Sequence, residues 1–79
     1  MGLNVTPARN IQVGQMLVVS VTDYEEYTIT ITRQDGTVID SSTDMGMSYP
    51  PTAEDVGWIT VRLTTPSGIC EERKVWCRP

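Results

Sequence analysis

The stretch that decides the fold is Trp58-Ile59-Thr60-Val61-Arg62-Leu63-Thr64-Thr65, in which apolar and polar side chains alternate. Its aliphatic side chains recur at every second position and therefore lie on one face of an extended chain, with Trp58 on the opposite face. Residues 27–33 alternate in the same way, with a tyrosine and two isoleucines on one face and three threonines on the other. Both stretches predict β-strands that bury one face.

Composition and turn signals extend this prediction to the whole chain. Val, Ile and Thr make up about a third of the residues, whereas Ala, the best helix former, occurs only twice. Turn signals at Asp35-Gly36, Pro50-Pro51 and Pro66-Ser67-Gly68 divide the chain into about seven strands, a spacing typical of a sandwich or barrel. Pro7 marks an edge strand within a short N-terminal arm, residues 1–10. We expect an all-β fold, a compact antiparallel β-sandwich.

Length and charge exclude several classes of function. With 79 residues, the chain forms one domain, residues 1–79, and a domain of this size has no room for a deep catalytic cleft. The chain contains no histidine, the usual general base and metal ligand, so we expect no enzymatic activity, no cofactor and no metal site. The net charge of −4 disfavours nucleic acid and anionic membranes as partners.

Residues 52–61 resemble the approach to strand F of immunoglobulin-like domains, because Asp55 and Gly57 match the acid and the glycine that precede that strand in the family. Residues 14–21 resemble strand B, and residues 33–38 resemble the stretch after the core tryptophan of strand C. The resemblance places Val21, Ile31 and Val61 where the family has its Cys, Trp and Cys. It implies an immunoglobulin-like sandwich without a core disulfide, in which Asp55 accepts hydrogen bonds at the corner before strand F.

The two tryptophans are the strongest candidates for contact with a partner. A hairpin centred on Ser67 places Trp58 opposite Trp76 on the outer face, where they are not buried in the sandwich core. Exposed aromatic pairs are frequent hot spots of binding. Arg62 and Arg73 fall near the same register, so we predict that these four residues form the contact surface. The alternative is that a loop or the N-terminal strand covers the tryptophans.

Cys70 and Cys77 are the only cysteines, and they stand seven residues apart on the last predicted strand. An extended strand would separate them by about 20 Å, far more than the limit of about 7 Å for a disulfide. We therefore expect free thiols, and a bridge only if the C-terminal segment bends back on itself. The carboxylates of residues 23–26 and of Glu54 and Asp55 are expected to be solvated loop charges rather than a calcium site.

The first residues contain neither a basic start nor an apolar run, so we expect no signal peptide and synthesis in a host cytoplasm. A single free-standing sandwich of this kind resembles the small immunoglobulin-like proteins that decorate bacteriophage capsids. The resemblance implies a structural protein of the virion whose partner is the major capsid protein or another virion protein. This resemblance rests on fold and size and not on a sequence motif. Fold alone does not fix function.

Three alternatives stay open. The chain could be an adhesion or carbohydrate-contact module of a larger surface protein, in which Trp58, Trp76 and Tyr24 stack on sugars. It could be an accessory domain of an enzyme, with Glu54 and Asp55 as the residues to test. It could also self-associate, through the closing strand or through an intermolecular bridge at Cys77.

Overall fold

Eight β-strands and one 3-10 helical turn make up the regular structure in residues 2–44 and 46–79, the part of the chain that the computed structural model describes. The helical turn spans Ala53–Asp55. The strands are β1 (Leu3–Thr6), β2 (Asn10–Gln12), β3 (Leu17–Val21), β4 (Thr28–Thr32), β5 (Val38–Ser42), β6 (Gly46–Tyr49), β7 (Gly57–Thr64) and β8 (Cys70–Arg78).

The strands form two sheets. The small sheet has the order β1-β3-β6, and the large sheet has the order β2-β8-β7-β4-β5. Neighbouring strands run antiparallel except β2 and β8, which run parallel. The prediction of an all-β fold is confirmed, and the described residues contain no α-helix.

One hydrophobic core lies between the two sheets. Side chains in β3 and β7 alternate between buried and outward-facing positions, and the buried ones meet in a single cluster to which both sheets contribute. The three residues that the sequence places at its centre, Val21, Ile31 and Val61, are 5%, 0% and 0% exposed. The alternation read from the sequence therefore identifies the core face of β3, β4 and β7.

The described residues contain eight strands, whereas the sequence predicts about seven, and the first two of the eight are short. β1 pairs with β3 in the small sheet, and β2 pairs with β8 in the large sheet. Pro7 stands between them, where its lack of an N–H and its fixed φ interrupt pairing. The N-terminal arm thus runs along the small sheet, and the chain then joins the large sheet as β2.

Two of the predicted turns connect neighbouring strands of the large sheet. Gly36 has a φ of 91° between β4 and β5, and the Thr37 N–H donates to the Asp35 carboxylate at 2.9 Å. Gly68 has a φ of 92° between β7 and β8. Both glycines adopt the left-handed conformation that a residue with a side chain rarely takes. The weak strand predicted around residues 45–49 is β6; Met45 itself lies outside the described residues.

Candidate functional site

Trp58 and Trp76 stand directly opposite each other on the outer face of the β7–β8 hairpin. Their ring centroids are 5.1 Å apart and their planes are inclined at 74°, an edge-to-face contact. Trp58 is 45% exposed and Trp76 is 38% exposed, so neither a loop nor the N-terminal strand covers them. The predicted cross-strand pair is confirmed, whereas its part in binding stays a prediction.

Backbone hydrogen bonds on both sides hold this pair in place. The Trp58 N–H donates to Oε1 of Gln34 at 2.9 Å, and the Trp76 N–H donates to the carbonyl of Arg9 at 2.8 Å. Val56, 41% exposed, precedes Trp58 by two residues. We call Trp58 and Trp76 the Trp patch. It is an apolar surface on a rigid sheet, with little conformational entropy left to lose on binding.

Gly57 is the first residue of β7 and directly precedes Trp58. Its φ is 115°, and a Cβ at this position would collide with Oε1 of Gln34, the atom that accepts from the Trp58 N–H. Only glycine combines this backbone conformation with so close a neighbour. The glycine that resembles the family motif before strand F therefore has a local physical role, which is to let Gln34 close over the start of β7.

The structure does not place the two predicted arginines beside the tryptophans. Arg62 lies on the same face as Trp58, but four residues along β7, or about 13 Å away, and it forms a salt bridge with Glu72 at 2.7 Å. Arg73 pairs with Val61 and bonds to the Leu3 carbonyl at 3.3 Å. Arg73 and Trp76 are three positions apart on β8, so their side chains lie on opposite faces of the strand. The Arg73 side chain therefore points toward the small sheet. The prediction that Arg73 flanks the tryptophans is wrong.

The cations that do accompany the Trp patch are residues that the sequence analysis missed. Lys74 and Arg78 precede and follow Trp76 by two positions on β8, and all three are exposed on the same face of the strand. Arg9 is exposed and bonds to Trp76 through its carbonyl. Because side chains alternate along β8, residues 74 and 78 lie on the same face as Trp76, so the sequence pattern could have identified Lys74 and Arg78. Nothing in the sequence indicated the backbone contact of Arg9.

Asp55 is the centre of a polar cluster beneath the corner that leads into β7. It is 1% exposed and accepts hydrogen bonds from Nε of Arg33 at 2.7 Å, from the N–H of Thr52 at 2.8 Å, from Oγ1 of Thr52 and from the Tyr49 hydroxyl. Burial by itself would raise the pKa of Asp55, but these hydrogen bonds outweigh it and hold the pKa below its ordinary value.

The cluster around Asp55 is a structural one. Burial and the bond to Asp55 raise the pKa of Tyr49 to about 12, so the tyrosine is a hydrogen-bond donor at neutral pH. Every buried side-chain nitrogen and oxygen within the described residues has a hydrogen-bond partner. The expectation that Asp55 accepts hydrogen bonds at this corner is confirmed, whereas the expectation that it is a solvated loop charge is wrong, because the chain folds over it.

Tyr24 belongs to a separate polar cluster, away from the tryptophans. Its hydroxyl donates to Oε2 of Glu71 at 2.6 Å, which also accepts from the Gly2 N–H at 3.1 Å. The bond from Tyr24 is the main cause of a lowered Glu71 pKa. Since Glu71 precedes Trp76 by five residues on β8, about 16 Å along the strand, the three aromatic residues form no common platform.

Both cysteines are free thiols, as expected. Cys77 is 0% exposed in the core, and burial raises its pKa. Cys70 is exposed at the start of β8. An intermolecular bridge at Cys77 is therefore excluded while the chain is folded, and Cys70 is the only cysteine that another molecule can reach.

Concave surface is shallow in the described part of the chain. A depression of about 520 Å³ opens between residues 25–28 and 64–66 and is lined by Glu25, Glu26 and several threonines. No group of three or more potential metal ligands was found among residues 2–44 and 46–79. The same residues include no helix with the length and hydropathy to cross a membrane. The absence of catalysis, cofactor and metal stays a prediction.

Comparison with known proteins yields no relative from which a role could be transferred. No protein-family model matches the chain, and no curated protein sequence matches it. The Trp patch, defined by its own geometry, is the candidate functional site.

Proposed function

We propose that the chain is an immunoglobulin-like β-sandwich that acts as a non-enzymatic binding module of a virion, as a capsid decoration protein or another accessory protein. The strand order supports the fold. With β3, β6, β4, β7 and β8 taken as strands B, E, C, F and G, the sheets correspond to A-B-E and to G-F-C with added edge strands.

The residues at the family's landmark positions also support this fold. Val21, Ile31 and Val61 are buried together in the core where the family carries its disulfide and tryptophan. Asp55 binds Thr52, Tyr49 and Arg33 at the corner before β7, much as the acid of the family motif is expected to do. An apolar pin in place of a disulfide suits assembly in a reducing cytoplasm.

The single observation that carries the binding role is the exposed Trp58–Trp76 pair. Tryptophan is the residue type most enriched at binding hot spots, and two of them stand together on a sheet face with about two-fifths of each side chain in water. The patch is small, and alone it supports a weak contact. A capsid offers many copies of the partner, so that repetition would raise the occupancy of a weak site.

A capsid protein fits this geometry better than a sugar does. Stacking on a carbohydrate uses the open face of an aromatic ring, and the inclination of 74° turns the edge of one ring toward the other. Tyr24 stands apart from the pair and is bonded to Glu71. Carbohydrate contact therefore remains the competing outcome in the experiment below.

The first experiment is density-gradient fractionation of material from the native source, with the chain located by mass spectrometry. We expect it to sediment with particles of megadalton size. A chain that stays at the top of the gradient as a free small protein refutes the capsid role. A soluble or surface-linked module, tested against immobilised glycans, then becomes the leading function.

The second experiment adds purified recombinant chain back to particles that lack it. We expect the double variant Trp58→Ser, Trp76→Ser to lose binding, because it removes the patch. Val18→Ser is the matched control, since Val18 is 47% exposed on the outer face of the small sheet. Each variant is first checked for folding through protection of Cys77, which is buried in the folded chain. Equal binding of both variants would refute the role of the patch.

A further inference from the structure

Charge is distributed unevenly around the Trp patch. The chain has six basic residues, and three of them, Arg33, Arg62 and Arg73, form salt bridges with carboxylates. Arg9, Lys74 and Arg78 form none within the described residues, and two of them, Lys74 and Arg78, flank Trp76 on the exposed face of β8. A chain with a net charge of −4 therefore keeps two of its unbridged cations beside its exposed aromatic pair.

The cations occupy one side of the patch. Lys74 and Arg78 lie on β8, and Arg9 directly precedes β2, which is the edge strand beside β8. Acidic groups occupy the opposite side: Asp35 and Glu54 line a shallow surface with Val56 and Gln34. Both of these acids are engaged, Asp35 with the Thr37 N–H and Glu54 with Arg33. The cations on β8 and these acids therefore lie on different sides of Trp58, and the positive charge is on the β8 side.

We propose that the Trp patch recognises an acidic protein segment, one that places an apolar side chain against Trp58 and Trp76 and carboxylates against Lys74 and Arg78. The inference rests on the binding role proposed for the patch and adds the chemical class and the orientation of the partner. Charges at the rim of an interface select the partner and its register, while the aromatic centre supplies most of the affinity.

A protein segment fits better than the other polyanion that pairs aromatics with cations, single-stranded nucleic acid. Bases stack on open ring faces, and the two indoles meet edge to face. A polynucleotide also presents its charge in a continuous row, which the overall charge of −4 repels. A short acidic segment brings only the few carboxylates that the two cations Lys74 and Arg78 can neutralise.

The test is selection from a library of random twelve-residue peptides on the immobilised chain. The variant is Lys74→Gln, Arg78→Gln. The control is Ser20→Glu, Ser48→Glu, which changes two exposed residues on the outer face of the small sheet. Each double variant lowers the net charge by two from −4, so the comparison separates local from overall charge. A twelve-nucleotide thymidine oligomer serves as the nucleic-acid probe.

Selected peptides are then titrated in solution with intrinsic tryptophan emission as the readout. The chain has two tryptophans, both in the patch, so peptides without tryptophan report on this site alone. We expect pools enriched about twofold in Asp and Glu on the wild type and the control, and affinity about tenfold lower for Lys74→Gln, Arg78→Gln.

Three results would overturn the inference: a selected pool without acidic enrichment, the same enrichment on all three proteins, or no reproducible pool at all. Tighter binding of the thymidine oligomer than of the selected peptides would replace it with nucleic-acid recognition. Sedimentation tests the capsid role separately. If the chain selects acidic peptides but does not sediment with particles, this inference stands and the capsid role is refuted. If the chain sediments with particles but selects no acidic peptides, the capsid role stands and this inference is refuted.

Discussion

Replacing Asp55 with asparagine tests whether the corner before β7 depends on a buried charge. In the native chain one carboxylate oxygen accepts from Arg33 and the other accepts from Tyr49 and Thr52. An asparagine side chain offers one acceptor oxygen and one NH₂ group, so either the Arg33 side or the Thr52 side faces a donor instead of an acceptor. The side chain is 1% exposed, so little water can replace the lost bonds.

The expected loss follows from the number of groups left without a partner. Removing one partner of a buried ion pair costs about 3–5 kcal/mol. Arg33 retains partial access to water, with 26% of its side chain exposed, so we take the lower end, about 3 kcal/mol. A domain of this length has roughly 4–12 kcal/mol of stability in total. Asp55→Asn should therefore lower the melting temperature by about 15 °C.

Thermal unfolding followed by circular dichroism measures this loss, and Glu54→Gln is the matched control. Glu54 is the neighbouring carboxylate and contacts the same arginine at 3.4 Å, but its side chain is 77% exposed. An exposed pair contributes little, so its melting temperature should stay within about 3 °C of the wild type. If Asp55→Asn melts as high as Glu54→Gln, the reasoning about the buried cluster is refuted.

The pKa of Asp55 lies below its ordinary value, so its contribution to stability is present above the unfolded pKa of about 4 and is lost as pH falls through the folded pKa. Between pH 6 and pH 2 the free energy of unfolding, measured with a chemical denaturant, should therefore fall less for Asp55→Asn than for the wild type. An equal dependence of this free energy on pH in the two proteins would contradict the prediction. Gly57→Ala should destabilise the chain by about 2 kcal/mol, since it combines a φ of 115° with a collision. Gly14→Ala, with a φ of 89° and no neighbour within 4 Å, should cost about half as much in the same denaturant titration, and equal costs would show that the collision is unimportant. Cys70 should react with a thiol reagent in the native chain and Cys77 only on unfolding, because one is exposed and the other buried; stopped-flow labelling that gives two equally fast thiols would show that the core opens readily.

Sequence periodicity was enough to place the tryptophans, because pairing across a tight hairpin depends only on the position of the turn. Trp58 and Trp76 lie equally far from Ser67, and they pair. Arg62 and Arg73 do not lie equally far from it, and a shift of one position moves a side chain to the other face of a strand. The error at Arg73 came from treating a near match of register as a match.

Contacts between distant segments were beyond the reach of sequence patterns. Asp55 meets Arg33 across 22 residues and Tyr49 across 6. The resemblance to the approach to strand F singles out Asp55 as an acceptor, but nothing in the sequence identifies these two partners. The same holds for Arg9, which reaches Trp76 only because Pro7 interrupts the arm and the chain restarts as a strand of the other sheet. Local alternation identifies which face is buried, but three-dimensional closure decides which polar groups meet.

The parallel pairing of β2 with β8 determines how the domain responds to force. If residues upstream of β2 and downstream of β8 are pulled apart, these two strands slide lengthwise past each other, because both run in the same direction. Their hydrogen bonds then carry the load together, in shear, and must fail almost at once. Antiparallel strands pulled from neighbouring ends would instead open like a zipper, one bond at a time. The short strand after Pro7 therefore works as a mechanical clamp.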